Sequence, residues 1–332
     1  MKAQQQLRCI DLFCGAGGLS LGLKRAGFAP VVAMDRDAAA AKTYCRKFPD
    51  VKVVTEDVRE VNWTVFRDRI DLVAGGPPCQ PFSVAGDQKA ANDVRDMLPE
   101  FVRAVRDINP RAFLLENVAG LASKRHESYF LSKVQSLIEL GYYVDFKVLD
   151  AADYGVPQSR KRVIILGSRE RLMEFPEPTH GPGRSHRHRM ARAVLNEQPP
   201  DEPNTAIVTY ARSPVLRPSP FAGMLVNGGG RPINLDRPAN TVPASAGGNR
   251  TQIVDLNGVL IDYHSRLMDG ASPKTGRVKH VRRLSIRESA RLQDFPDFFE
   301  FSGERSAQYR QIGNAVPFGL SYAVGNAIYS QL

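Results

Sequence analysis

LRCIDLFCGAGGLSLGLKRAG, residues 7–27, carries three signals in order: an apolar run, a cluster of glycines and a helical pattern. Residues 7–13 read as a buried strand, Gly15, Gly17 and Gly18 as a tight turn, and 19–27 as a helix. The alternation recurs downstream. VVAMD (31–35) precedes helix-like AAAAKTYCRKF (38–48), and VKVVTED (51–57), IDLVAGG (70–76) and RAFLLENV (111–118) are further short apolar runs ending in polar residues or glycine. Strands alternating with helices of this length predict an α/β fold with a doubly wound, mostly parallel sheet. Ligands bind such sheets at the carboxyl ends of strands. Asp11, Asp35, Asp57, Cys79 and Glu116 all fall at or just past such ends, so we read them as one site.

Composition narrows the class. The 332 residues, 42% hydrophobic and 24% charged, suit a globular protein of one large or two modest domains. No apolar run is long enough to span a membrane, and MKAQQQLRCIDLF lacks the apolar core of a signal peptide. Cysteines 9, 14, 45 and 79 form no CxxC pair and have no histidines at zinc spacing, so neither a metal nor a disulfide framework is expected. A reduced, cytoplasmic setting follows. The net charge of +10 is uneven: residues 1–150 carry a basic surplus of two and residues 151–332 a surplus of eight. A basic excess gathered in one half marks a polyanion partner, most often nucleic acid.

Past about residue 168 the pattern changes. Residues 175–250 are rich in Pro, Gly, Asn and Arg, without a helical period, and predict loops and short strands of a second, smaller domain. Helical order resumes at SIRESARLQDFP (285–296), where Ser285 and Glu288 fit a capping box, and GLSYAVGNAIYSQL predicts a terminal helix. The expected division is 1–178 plus 305–332 for the larger domain and 179–304 for the smaller one.

The glycine turn by itself would suit a dinucleotide, a nucleoside or nothing. Its GxGG spacing is not the dinucleotide fingerprint GxGxxG, which lowers an oxidoreductase reading. Asp35, ending the second strand, is placed either to accept hydrogen bonds from ribose hydroxyls or to cap the helix at 38–48.

DLVAGGPPCQPFS (71–83) poses a different problem. Its prolines can continue neither a helix nor a central strand, so Cys79 stands in a rigid turn after a buried strand. Such a cysteine is a buried small hydrophobe, a metal ligand or a nucleophile, and the proline- and glycine-rich setting without metal spacing favours the nucleophile. GPPCQPFS, ENV (116–118), QSRKR (158–162) and QIGNAV (311–316), in that order, resemble the motifs of the bacterial-type DNA cytosine-C5 methyltransferases. Only residues 168–280 or so match weakly.

The resemblance implies a Rossmann-like, S-adenosylmethionine-dependent methyltransferase fold with a loop- and strand-rich recognition domain. It also implies a chemistry. The Cys79 thiolate adds to C6 of a flipped-out cytosine, C5 becomes electron-rich and takes the methyl group, and loss of the C5 proton and of the thiolate leaves 5-methylcytosine. Glu116 would bond cytosine N3 and the exocyclic amine, Arg162 the pyrimidine O2, and Arg160 would support the catalytic loop, with Lys161 on the opposite strand face. Phe13, Gly15, Gly17, Gly18, Asp35, Asp57 and Asn314 match positions that hold the methyl donor. Arg36 departs from the apolar residue usual beside the ribose carboxylate.

For duplex DNA, the partner the resemblance implies, the candidates are Ser83, Lys89 and Arg95 in the segment after Cys79, and Thr241 in NTVPASAGG (240–248). RSHRHRMAR (184–192) adds four arginines and two histidines as candidate phosphate contacts. A monomer bound to the nucleoid is expected, with a restriction enzyme or other defence component as possible companion. Two other readings stay open: a transfer-RNA cytosine-C5 methyltransferase on the same core, and a catalytically silent DNA-binding module.

Overall fold

A computed structural model describes residues 6–78 and 96–332, and its chain forms two compact units. The first comprises the described residues within Met1–Tyr154, Arg160–Thr179 and Ala315–Leu332. Its elements begin β1 (Arg8–Leu12), α1 (Gly18–Ala26), β2 (Ala29–Met34), α2 (Ala38–Lys47), β3 (Lys52–Val54), β4 (Leu72–Gly75) and α3 (Leu98–Ile108). There follow β5 (Ala112–Val118), α4 (Glu127–Glu139) and β6 (Tyr143–Asp150). After the short β7 (Gln158–Ser159), which belongs to the second unit, come β8 (Lys161–Ser168) and the C-terminal helix α8 (Phe318–Tyr329).

Seven strands form one sheet in the order β3-β2-β1-β4-β5-β8-β6. Five pair in parallel, and β8 runs antiparallel between β5 and β6. The central strands read as unbroken apolar runs because helices cover both faces; Cys9, Ile10 and Leu12 of β1 and Leu72, Val73 and Ala74 of β4 are fully buried. The core on one face gathers Ile10, Leu12, Val73, Phe101, Phe113 and Phe130. On the other, α1 packs against α8, so the end of the chain lies against its beginning: a Cβ on Gly22 would stand 2.4 Å from the Tyr322 backbone nitrogen, and Ser321 Oγ donates to the Gly18 carbonyl at 3.1 Å.

The second unit comprises Gly155–Ser159 and His180–Asn314. It holds β7, β9 (Tyr210–Val215), β10 (Met224–Val226), β11 (Ala239–Asn240), β12 (Ile253–Val254), α5 (Val259–Met268), β13 (Arg282–Arg283), α6 (Ile286–Leu292) and α7 (Arg305–Asn314). Its strands pair two by two, β7 with β11, β9 with β10 and β12 with β13. Sparse pairing leaves much backbone polarity to side chains. Buried Arg283 donates to the carbonyls of Asn227, Asn249 and Thr251. Fully buried Gln158 accepts from Val242 N and donates to the Leu292 carbonyl and to Gln293, which donates in turn to Ile312. The Ser285–Glu288 capping box is formed at the start of α6. The sequence reading begins the return to the catalytic domain at 305, whereas here α7 packs with α6 and the return comes at Ala315.

Candidate active site

The glycine turn lies at the carboxyl end of β1, between that strand and α1. Phe13 and Gly15 both adopt left-handed φ, +59° and +53°, which turns the chain back under the helix. A Cβ on Gly15 would meet nothing within 4 Å, so the loop faces open space there, as a cradle for a ligand must. At Gly17, with φ of +91°, a Cβ would come within 2.7 Å of the Phe48 ring, so glycine also lets the loop pack closely there. Gly18 opens α1, whose N-terminus has no side-chain cap and so offers N–H donors beside the loop.

Asp35 follows β2 and holds this loop. Its Oδ2 accepts from Gly15 N at 2.9 Å and its Oδ1 from Asp37 N at 2.8 Å. Helix α2 is capped by Asp37, whose carboxylate accepts from Ala39 and Ala40, so the capping role that the sequence left open for Asp35 belongs to its neighbour. Burial raises the Asp35 pKa, against the lowering effect of its two backbone bonds. Asp57, one strand further out, caps the turn Val58–Glu60. Arg59, with Nε 2.9 Å from Oδ1, holds its carboxyl far below the usual carboxylate range. Arg36 is exposed between these two carboxylates in sequence.

At the end of β5, buried Glu116 meets Arg162: Oε1 lies 2.8 Å from the guanidinium Nε. Register explains the meeting. Arg162 of β8 stands opposite Val118, and Ile164 opposite Glu116, so Glu116 and Arg162 leave the same face as diagonal neighbours. A Cβ on Gly76 would be 2.9 Å from Glu116 Oε2, which places the carboxylate against the end of β4. Arg160 is buried, and burial together with the charge of Arg162 lowers its pKa, while Lys161 between them is exposed. One contact is invisible to motif reading. Asn117, also buried, donates through Nδ2 to the Pro77 carbonyl at 3.1 Å, tying the ENV segment to the proline pair.

Cys79, Ser83, Lys89 and Arg95 lie outside the described residues. In the second unit, Thr241 Oγ1 donates to the Ser159 carbonyl at 3.0 Å, and exposed Asn314 ends α7. Of the arginines in 184–192, Arg189 pairs with Asp294 and Arg192 with Asp236. Among the described residues no cluster of His, Cys, Asp and Glu is arranged to hold a metal ion, and no helix is long and apolar enough to cross a membrane.

The site thus combines an open glycine loop clasped by one carboxylate with a buried Glu–Arg pair two strands away. Residues 7–330 match the family model of the C-5 cytosine-specific DNA methylases. Similar curated proteins include type II methyltransferase M.FnuDI of Fusobacterium nucleatum, 34% identical, with 98% of this chain and 95% of that protein covered. Type II methyltransferase M.NgoMIV of Neisseria gonorrhoeae is 33% identical, with 98% of each covered. Among solved structures, the Dnmt2 methyltransferase of S. pombe superposes with a TM-score of 0.70 at 19% identity, over 98% of this chain and 99% of that one, a likeness of fold.

Proposed function

This chain belongs to the C-5 cytosine-specific DNA methylases, which transfer the methyl group of S-adenosylmethionine to C5 of cytosine in DNA, and we propose that it acts on a flipped-out cytosine within a short, defined duplex sequence. The observation that carries the reading is the Glu116–Arg162 pair. Cytosine N3 and O2 are neighbouring atoms, so side chains that read them together must stand side by side, as these do at 2.8 Å. Glu116 bonds N3 and the exocyclic amine while Arg162 bonds O2, and the base exchanges their mutual pairing for its own edge. The Cys79 thiolate adds to C6, the C5–C6 electrons bond C5 to the methyl group as it leaves the donor sulfur, and loss of the C5 proton with expulsion of the thiolate ends the cycle. Arg160, buried just before β8, supports the loop that carries the cysteine.

The methyl donor supplies a sulfonium-activated methyl group when bound. The Gly15–Gly18 loop, Phe13 and Asp35 fit it, since the loop opens onto free space beneath a helix N-terminus and Asp35 fixes its shape. Asp35 receives the ribose hydroxyls and Asp57 the adenine amine, with Asn314 contributing from the C-terminal motif. Ser83, Lys89, Arg95 and Thr241 engage the DNA. We infer further that the protein works as a monomer in the cytoplasm, on the nucleoid, beside a cognate restriction enzyme. The match to a DNA methylase family and to proteins named as type II methyltransferases leaves the transfer-RNA and silent-module readings without support.

Incubation with isotopically labelled methyl donor and either duplex DNA or transfer RNA tests the reading, and bisulfite sequencing of DNA from a host expressing the chain identifies the target. Label on duplex DNA at one short sequence is expected. Label on transfer RNA alone, or none despite tight donor binding, overturns it.

A further inference from the structure

One buried titratable group takes no part in the chemistry above. Asp11 lies on the central strand β1, one residue before the Leu12–Phe13 turn, and is 1% exposed. Its strand neighbours across the sheet are Ala33 and Ala74. Oδ2 accepts from Ser20 Oγ at 2.6 Å, and Ser20 in turn shares a hydrogen bond with Tyr44 at 2.7 Å, linking β1 to the first turn of α1 and to α2. Oδ1 is buried with no hydrogen-bond partner. Such an oxygen is costly to leave unsatisfied, and the cost falls on the strand end beneath the glycine loop.

Among the described residues, the groups that act on Asp11 carry no positive charge. Cys9 and Cys14, with thiol pKa values raised by burial, and Tyr44 and Ser20 line it, and Asp35 adds a second negative group. Burial pushes the carboxyl up to about 7, with Asp35 acting in the same sense and Ser20 against it. A buried carboxyl that feels a second carboxylate does not ionise freely in a low dielectric unless a cation joins them.

Resting on the cofactor assignment above, we propose that Asp11 senses the charge of the bound cofactor: its carboxyl loses its proton when the cationic methyl donor enters the glycine cleft, and it regains one when the sulfur becomes neutral after transfer. The proton passes to solvent on binding and returns on turnover, so no other reactant is needed. Selection between donor and spent product then rests in part on this one buried group, through charge and not through shape.

The test compares S-adenosylmethionine with S-adenosylhomocysteine, which lacks the sulfonium charge, by titration calorimetry of the full chain between pH 5.5 and 7.5. Donor affinity is expected to rise about tenfold across that range while product affinity changes less than twofold, and Asp11→Asn should remove the difference in slope. Calorimetry in two buffers of different ionisation enthalpy should show about half a proton released per donor bound near pH 7. This wild-type proton count stands even if the variant does not fold. Equal slopes for the two ligands, a slope that survives in Asp11→Asn, or no proton release overturns the proposal. Tight but pH-independent donor binding would do so while leaving the methyltransferase reading intact, whereas failure of both compounds to bind would overturn that reading itself.

Discussion

Replacing Asp35 by Ala should weaken the methyl donor far more than it weakens the fold. The carboxylate accepts from two backbone N–H groups, Gly15 at 2.9 Å and Asp37 at 2.8 Å. Hydrogen bonds to a charged acceptor contribute about 1.5–3 kcal/mol each. The Asp37 N–H sits at the start of α2, where water can replace the lost oxygen, so its loss is partly recovered. Gly15 N–H belongs to the loop itself, and without its anchor the left-handed turn at Phe13 and Gly15 must be reordered each time a ligand binds. Adding the bonds to ribose that disappear with the carboxylate, the expected loss is about 2–4 kcal/mol, or roughly 30- to 1,000-fold in Kd. Asp35→Asn keeps one acceptor oxygen and should lose about tenfold. Titration calorimetry reads the affinity and scanning calorimetry the stability, where a loss of only about 1–2 kcal/mol is expected. Donor binding within threefold of wild type in Asp35→Ala would refute the reasoning, because the loop would then hold its shape without its clasp.

Asn117→Ala frees the Pro77 carbonyl and should lower kcat by roughly 10- to 100-fold with donor affinity unchanged, as a lost hydrogen bond of about 1–3 kcal/mol that positions the nucleophile requires; a fall in donor affinity with kcat retained would place its role elsewhere. In Gly22→Ala the new methyl would lie 2.1 Å from Ser321 Oγ and 2.4 Å from the Tyr322 nitrogen, and because backbone cannot rotate aside, overpacking should cost about 1–3 kcal/mol despite the better helix propensity; an unchanged melting temperature would contradict this packing. Asp11 yields a stability prediction with a definite sign. Folded Asp11 keeps its proton to about pH 7 and the unfolded chain only to about 3.8, so its contribution is full below pH 3.8 and is lost as pH rises through 7. Ligand-free Asp11→Asn should therefore gain on wild type between pH 4 and 7, approaching roughly 4 kcal/mol by pH 8, and parallel stability curves across that range would contradict the raised pKa.

What the sequence disclosed and what it withheld divide along contact range. The strand–glycine–helix order of residues 7–27 is local, and β1 and α1 fall within a residue or so of the expected bounds. The Ser285–Glu288 box is local too, three residues apart, and it forms. The choice between two roles for Asp35 is not legible, since Asp37 also fits a cap and only the folded chain settles which carboxylate reaches Gly15. Antiparallel β8 reads like any other buried strand. Its direction depends on register with β5, some 45 residues earlier, and the Glu116–Arg162 meeting depends on that register. Asn117 and Gln158 are polar residues buried by partners 40 and 134 residues away, a satisfaction no periodicity announces.

Duplex DNA carrying 5-fluorocytosine at the target position, incubated with the protein and S-adenosylmethionine, reads the covalent step most directly, because fluorine cannot leave C5 as the proton does. A denaturation-resistant protein–DNA adduct is predicted for the wild-type chain and none for Cys79→Ser, with donor affinity nearly equal in the two. An active preparation that methylates ordinary DNA yet forms no adduct would contradict the account.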